Sequence, residues 1–153
     1  MPAKSPRIAV RGIIIRDGRL LLVNAWPDGK SALMCAPGGG VEPGSSMPEN
    51  LAREVHEETG LRVEVGTPCL VNEFHDPATG FHQIEVFFRC TLLGGADIDP
   101  AWRDPENIVS THLWADAQMM AELMVKPDSL AQIAFSASAE MGAAYDPLEQ
   151  IVM

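Results

Sequence analysis

Two apolar runs, "IAVRGIII" and "LLLVNAW", stand near the start of the chain and are separated by "RDGR". Asp17-Gly18 suits a two-residue hairpin turn, so the runs predict paired strands after a loose N-terminal tail at residues 1–6. From Gly29 to Gly44 the chain is dense in glycine and proline, centred on "PGGGVEPG", which predicts a loop with at most a short strand near Val41. Ser46 and Glu49 then form a capping box, Pro48 is tolerated in a first helical turn, and Gly60 suits a C-terminal stop. Beyond this helix, "LRVEVGTPCLVNEF" and "FHQIEVFFRCTLL" read as paired strands joined around "HDPATG", where Pro77 and Gly80 are turn residues. "DIDPAWRDPEN" reads as polar loop and "IVSTHLWA" as another strand.

Met119, Met120, Leu123 and Met124 follow at helical spacing behind an Asp116 cap, and read as packing positions. Pro127 ends that helix, and Asp128 caps a last one through about Phe135. Residues 138–153, which include "SASAEMGAA" in part, are expected to be a mobile C-terminal tail. The reading is therefore a single α/β domain over residues 7–137, with helices covering a mixed sheet.

Composition narrows the function. The chain has 153 residues, 46% of them hydrophobic, which suits one domain. Its net charge of −10 disfavours nonspecific binding to nucleic acid or an anionic membrane. A phosphate-bearing ligand would need a cation as mediator. The sequence has neither a transmembrane-length apolar run nor a signal-peptide pattern, so the cytoplasm is the expected location. Cys35, Cys69 and Cys90 lack any C-x-x-C spacing and read as buried reduced thiols.

The candidate chemistry lies in "AREVHEETGL", residues 52–61. At about 100° per residue, Glu57 and Glu58 fall on either side of Glu54, so three carboxylates share a narrow arc beside the apolar stripe of Leu51, Ala52 and Val55. Like charges at this spacing repel. A hard divalent cation such as Mg2+ or Mn2+ would offset the repulsion, because it prefers oxygen ligands. The ordinary alternative is a solvated acidic face with an Arg53–Glu57 pair. Against that alternative stands "PGGG", whose carbonyls and amides can approach an ion or a phosphate without Cβ hindrance.

Gly39 followed by Arg53-Glu54-Val55-His56-Glu57-Glu58-Thr59-Gly60-Leu61 resembles the Nudix box, G-x5-E-x7-R-E-U-x-E-E-x-G-U, with U a bulky aliphatic. One position departs from the pattern: the first glutamate of the box falls at Ser45, and Glu42 is out of register with it. The resemblance implies a Nudix-like α/β/α sandwich with a mixed central sheet. It implies metal-dependent hydrolysis of a nucleoside diphosphate linked to another moiety, with Mg2+ or Mn2+ as cofactor. Glu54, Glu57 and Glu58 would bind the metal with a backbone carbonyl of Gly38 or Gly39, and Arg53 would orient a glutamate, with Glu57 preferred.

The general base is left open by the resemblance, and Glu85 and Glu106 are the candidates outside the box. Strand alternation sets Glu85 on a face with Phe81, Gln83 and Phe87, which an ordinary polar strand position would also satisfy. For Glu106 the ordinary role is a solvated loop residue. Phe74, Phe81, Trp26 and Trp102 are candidate aromatic platforms for a base, and His75 and His82 candidate phosphate contacts, although core or surface roles explain each one. Pro77 lies at a distance past Leu61 that is associated with the ADP-ribose-hydrolysing branch, so ADP-ribose or another nucleotide sugar leads a noncanonical nucleoside triphosphate. Turn chemistry also explains that proline. Ser45 motivates the alternative of a catalytically impaired nucleotide-binding or sensing module, and the acidic helix alone would allow a protein-contact surface. A homodimer is compatible with the resemblance, but no sequence feature fixes the oligomeric state.

Overall fold

The computed structural model describes residues 4–136 and 144–153. Strands β1 (Arg7–Arg16) and β2 (Arg19–Asn24) form the expected hairpin, with Asp17 and Gly18 both at positive φ (50° and 74°). That geometry matches the right-handed twist of the flanking strands. Two short strands, β3 (Met34–Cys35) and β4 (Gly38–Gly40), follow. The helix α1 (Met47–Thr59) leads to β5 (Val63–Asp76) and β6 (Phe81–Leu92), then β7 (His112–Ala115), the short helices α2 (Ala117–Ala121) and α3 (Leu130–Ala134), and β8 (Ala144–Gln150).

The sheet is mixed. Its path runs β3-β2-β1-β6-β5-β8, with β4 also paired to β1 and β7 to β2. β1 pairs with β6 in parallel, β5 with β6 antiparallel, and β8 with β5 in parallel. Both faces of the sheet are covered, which explains why the central strands read as unbroken apolar runs rather than alternating ones. Ile13, Leu20, Leu22 and Phe87 belong to a core with Met120, Leu130 and Ile133 of α2 and α3. Their sequence neighbours Ile14, Leu21 and Phe88 point the other way, into a core with Leu51 and Val55 of α1. The result is three layers, α/β/α.

Helix α1 forms where the sequence predicts. The Ser46 hydroxyl accepts from the Glu49 amide at 3.1 Å, and the Glu49 carboxylate accepts from the Ser46 amide at 3.0 Å. Gly60 ends the helix at φ 75° and donates to the His56 carbonyl. With Leu51 and Val55 fully buried, the rotation of α1 about its axis is fixed, and so is the direction of its polar face.

Several expectations are corrected. The glycine-rich loop contains two strands, since Gly38–Gly40 pairs with Ala9–Arg11 through backbone alone. Strand β7 is shorter than "IVSTHLWA" because the Asn24 carboxamide takes the amides of Ser110 and Thr111 (2.9 Å each) and donates to the Ile108 carbonyl. Helix α2 stops at Ala121, so Leu123 and Met124 lie beyond it and are exposed. The cap position of α3 is Ser129, while Asp128 accepts from Lys126 Nζ at 2.9 Å. The expected mobile tail does not hold for Ala144–Gln150. That segment is strand β8, which supplies backbone partners to the edge of β5. Residues 138–143 lie outside the described residues. Among the described residues, no helix is long and apolar enough to cross a membrane.

Candidate active site

Strand β4 and helix α1 meet at two glycines. A Cβ on Gly38 would fall 1.9 Å from the Val10 carbonyl oxygen, and one on Gly39 would fall 2.5 Å from the Glu54 carboxyl carbon. Only a residue without a side chain allows β1 and the carboxylate helix to close on this strand from two sides.

On the polar face of α1, Glu54 and Glu57 converge with Glu106 from the loop before β7, each offering an oxygen within 4.8 Å of the others. The loop is pinned from two directions. Trp102 donates its indole N–H to the Glu57 carbonyl at 2.8 Å and stacks edge-on against His56 with 5.2 Å between ring centroids. Buried Asp104 accepts from the amides of Glu106, Ile108 and Val109. Arg53 Nη1 lies 3.2 Å from both Glu57 oxygens and 3.1 Å from Glu54 Oε1.

Burial raises the pKa of Glu54, partly offset by Arg53, and the charges of Glu106 and Glu57 raise it further. A cation among these oxygens would reverse the repulsion. The donor set is all-carboxylate, which fits a hard ion such as Mg2+ or Mn2+ and not a soft one.

Two of the expected ligand groups, Glu58 and the Gly38 carbonyl, also make hydrogen bonds within the fold. Glu58 stands outside the cluster, buried against β4, where it accepts from the Gly38 amide at 3.2 Å. Burial pushes its pKa up to about 8 despite Arg11 and that amide, with Glu54 and Asp104 adding to the rise. The Gly38 carbonyl accepts from Arg11 Nη1 at 3.4 Å.

On the other side of β4 lies a cavity of about 560 Å3, lined among others by Arg7, Arg11, Trp26, Phe74, Phe81, Gln83 and Glu85. Glu85 is buried and its oxygens are taken, by Arg11 Nε at 2.6 Å, Gln83 Nε2 at 3.0 Å and Asn72 Nδ2 at 3.3 Å. Arg7 in turn donates to the Gln83 carboxamide. Burial alone would lower the pKa of Arg11, but Glu85 beside it, with Cys35 and Glu58, raises it above the ordinary value. The rings of Phe74 and Phe81 stack with 6.4 Å between centroids. The cavity thus has aromatic walls and a cationic, hydrogen-bonding floor. A second cavity of about 620 Å3 is lined by Trp102 and Asp104 and, of the predicted site residues, contains Trp102 alone.

His75 and His82 do not line the first cavity. They pair with each other across β5 and β6, and alternation turns them to the opposite face from Phe74 and Gln83. Trp26 lines the cavity and donates to the Val152 carbonyl at 3.1 Å.

Residue-by-residue reading missed Arg7, Arg11 and Asn50. A signal for the arginines was present, because two charges spaced four apart interrupt an otherwise apolar strand and alternate onto one face.

The match to a NUDIX domain covers residues 5–134. An ADP-ribose pyrophosphatase of Methanocaldococcus jannaschii is 34% identical over 90 residues, which are 59% of this chain and 53% of that protein. A MutT-like protein of Streptomyces ambofaciens is 36% identical over 91 residues, 59% of this chain and 54% of that protein. The matched stretch thus spans about half the length of these relatives. A Nudix hydrolase structure from Nitrosomonas europaea superposes with a TM-score of 0.73 at 22% identity, covering 91% of this chain and 93% of that one. With its box on α1, its glycine strand beside it and a domain match over most of its length, the chain belongs to the Nudix family.

Proposed function

We propose that this protein is a pyrophosphohydrolase that, with Mg2+ or Mn2+, cleaves a nucleoside diphosphate linked to another moiety, with ADP-ribose or another nucleotide sugar as the favoured substrate. The observation that carries the reading is the convergence of Glu54, Glu57 and Glu106 under Arg53, on the far side of β4 from a cavity with an arginine floor. The names of the relatives support the substrate class.

In this reading Glu54, Glu57 and Glu106 hold the ion. When bound, it would offset diphosphate charge and lower the pKa of a water. Arg53 keeps Glu57 turned toward the cluster. Arg7, whose partner Gln83 is neutral, attracts the anionic ligand, while Phe74, Phe81 and Trp26 offer ring faces to a base. Glu106 is the favoured carboxylate outside the box to take the proton of the attacking water. Glu85 is disfavoured for that task, since Arg11, Gln83 and Asn72 already occupy its oxygens.

Product analysis across ADP-ribose, dinucleoside polyphosphates, nucleotide sugars and nucleoside triphosphates, with each metal, tests the proposal. Cleavage that Glu57→Gln slows by about a hundredfold or more supports it. No product from any diphosphate, or turnover indifferent to Glu57→Gln, sinks it. Ser45 motivates a second reading, a nucleotide sensor, which predicts thermal stabilisation by the nucleotide with no product formed.

A further inference from the structure

The departure at Ser45 leaves a gap, because the family pattern has a glutamate there. Beside it stands Asn50, whose carboxamide donates to the Ser45 carbonyl. Asn50 lies one helical turn before Arg53 and is 1% exposed. Its carboxamide oxygen accepts from Arg53 Nη2 at 3.1 Å and from the Glu42 amide at 3.0 Å. Its nitrogen donates to the carbonyls of Ser45 at 3.2 Å and Ser46 at 2.8 Å. Both lone pairs and both hydrogens are therefore used, and the amide orientation is unambiguous: reversed, the NH2 would face two donors and the oxygen two carbonyls.

A buried asparagine inside a helix is an unfavourable choice, for alanine would suit the helix better. Here it joins three parts that must stay in register: the loop at Glu42, the start of α1 at Ser45 and Ser46, and the guanidinium of Arg53. Glu42 adds a looser contact, 3.8 Å from Arg53 Nη2 with its side chain largely exposed.

We propose that Asn50 is a positioning residue that substitutes for the missing carboxylate at position 45. By holding Arg53 Nη2, it leaves Nη1 directed at Glu54 and Glu57, and it closes the glycine-rich loop onto α1 through the same carboxamide. The role rests on the metal-dependent reading above, and it acts on the cation site through Arg53.

The test is a Mn2+ titration followed by electron paramagnetic resonance on the EDTA-stripped protein, with kcat and KM measured in parallel on ADP-ribose. Asn50→Ala is expected to weaken Mn2+ binding about tenfold and to lower kcat, with KM changed less than about twofold. Adding Ser45→Glu to that variant is expected to restore most of the loss, which a merely structural role for Asn50 would not allow. Ser45→Glu alone is expected to change Mn2+ affinity by less than about twofold, because Arg53 is already held. That single variant decides the matter even if Asn50→Ala does not fold, for a several-fold gain would mean that Arg53 is not held and would overturn the proposal. Unchanged Mn2+ binding in Asn50→Ala, or no rescue by Ser45→Glu in a variant that melts like wild type, would also overturn it. Wild-type protein that neither binds Mn2+ nor forms product overturns the metal-dependent reading, and this role with it. Mn2+ binding that is indifferent to Asn50 removes the role alone.

Discussion

Glu58 offers a direct measure of what the carboxylate helix costs the fold when no cation is present. The residue is 8% exposed, with the Gly38 amide as its hydrogen-bond donor, and burial raises its pKa from 4.5 to about 8. A carboxyl whose folded pKa lies above the unfolded one supports the fold fully below about pH 4.5. That support is lost as pH rises toward 8, because the unfolded chain ionises first. Each pKa unit corresponds to about 1.4 kcal/mol, so the loss across this window is on the order of 5 kcal/mol. Glu58→Gln keeps an oxygen for the Gly38 amide and removes the titration.

The assay is thermal unfolding of both proteins in EDTA at pH steps from 5 to 8. At pH 5 the two should melt within a few degrees of each other. By pH 8 the variant should be the more stable by roughly 10 °C, at about 2–4 °C per kcal/mol for a chain of this size. Other carboxylates ionise in both proteins, so the difference between the curves reports Glu58 together with its repulsion of Glu54 and Asp104. A difference that stays flat from pH 5 to 8 would refute the claim that a buried carboxyl at this position resists ionisation.

The glycine strand and the two carboxylates outside the box give further tests. Gly39→Ala would drive a methyl group into the Glu54 carboxylate, and Mn2+ affinity measured by titration should fall about 10- to 100-fold while the melting temperature shifts much less. Glu106→Gln should lower kcat by about a hundredfold or more with KM little changed. Glu85→Gln, measured by the same steady-state assay, should act mainly on KM and stability, because it removes the charge that pairs with half-buried Arg11. Equal kcat losses in both variants would contradict the division of roles between the cluster and the cavity.

Much of this molecule was legible in the chain because its signals are local. The Ser46–Glu49 capping box, the Gly60 stop and the Asp17-Gly18 turn act over a few residues, and each appears where the residues require it. The spacing of Glu54, Glu57 and Glu58 was also local, since helical rotation alone sets three carboxylates on one arc. Local spacing did not decide which of them face a common point. Packing of Leu51 and Val55 under the sheet fixes the roll of α1, and this turns Glu54 and Glu57 toward Glu106 while burying Glu58 against β4.

Contacts between residues distant in sequence settled the rest. Glu106 reaches the cluster through Trp102 and Asp104, whose partners lie on another element or are backbone amides that no side-chain pattern reveals. Arg11 finds Glu85 only because β1 and β6 run side by side in parallel, and β8 exists because the edge of β5 has backbone groups to satisfy. The sequence by itself determined the helix, its caps, the carboxylate arc and the departure at Ser45. Tertiary structure alone decided which carboxylates meet and that Asn50 ties Arg53 to the loop at Glu42, because burial and the packing of loop on helix are properties of the packed chain and not of its local order.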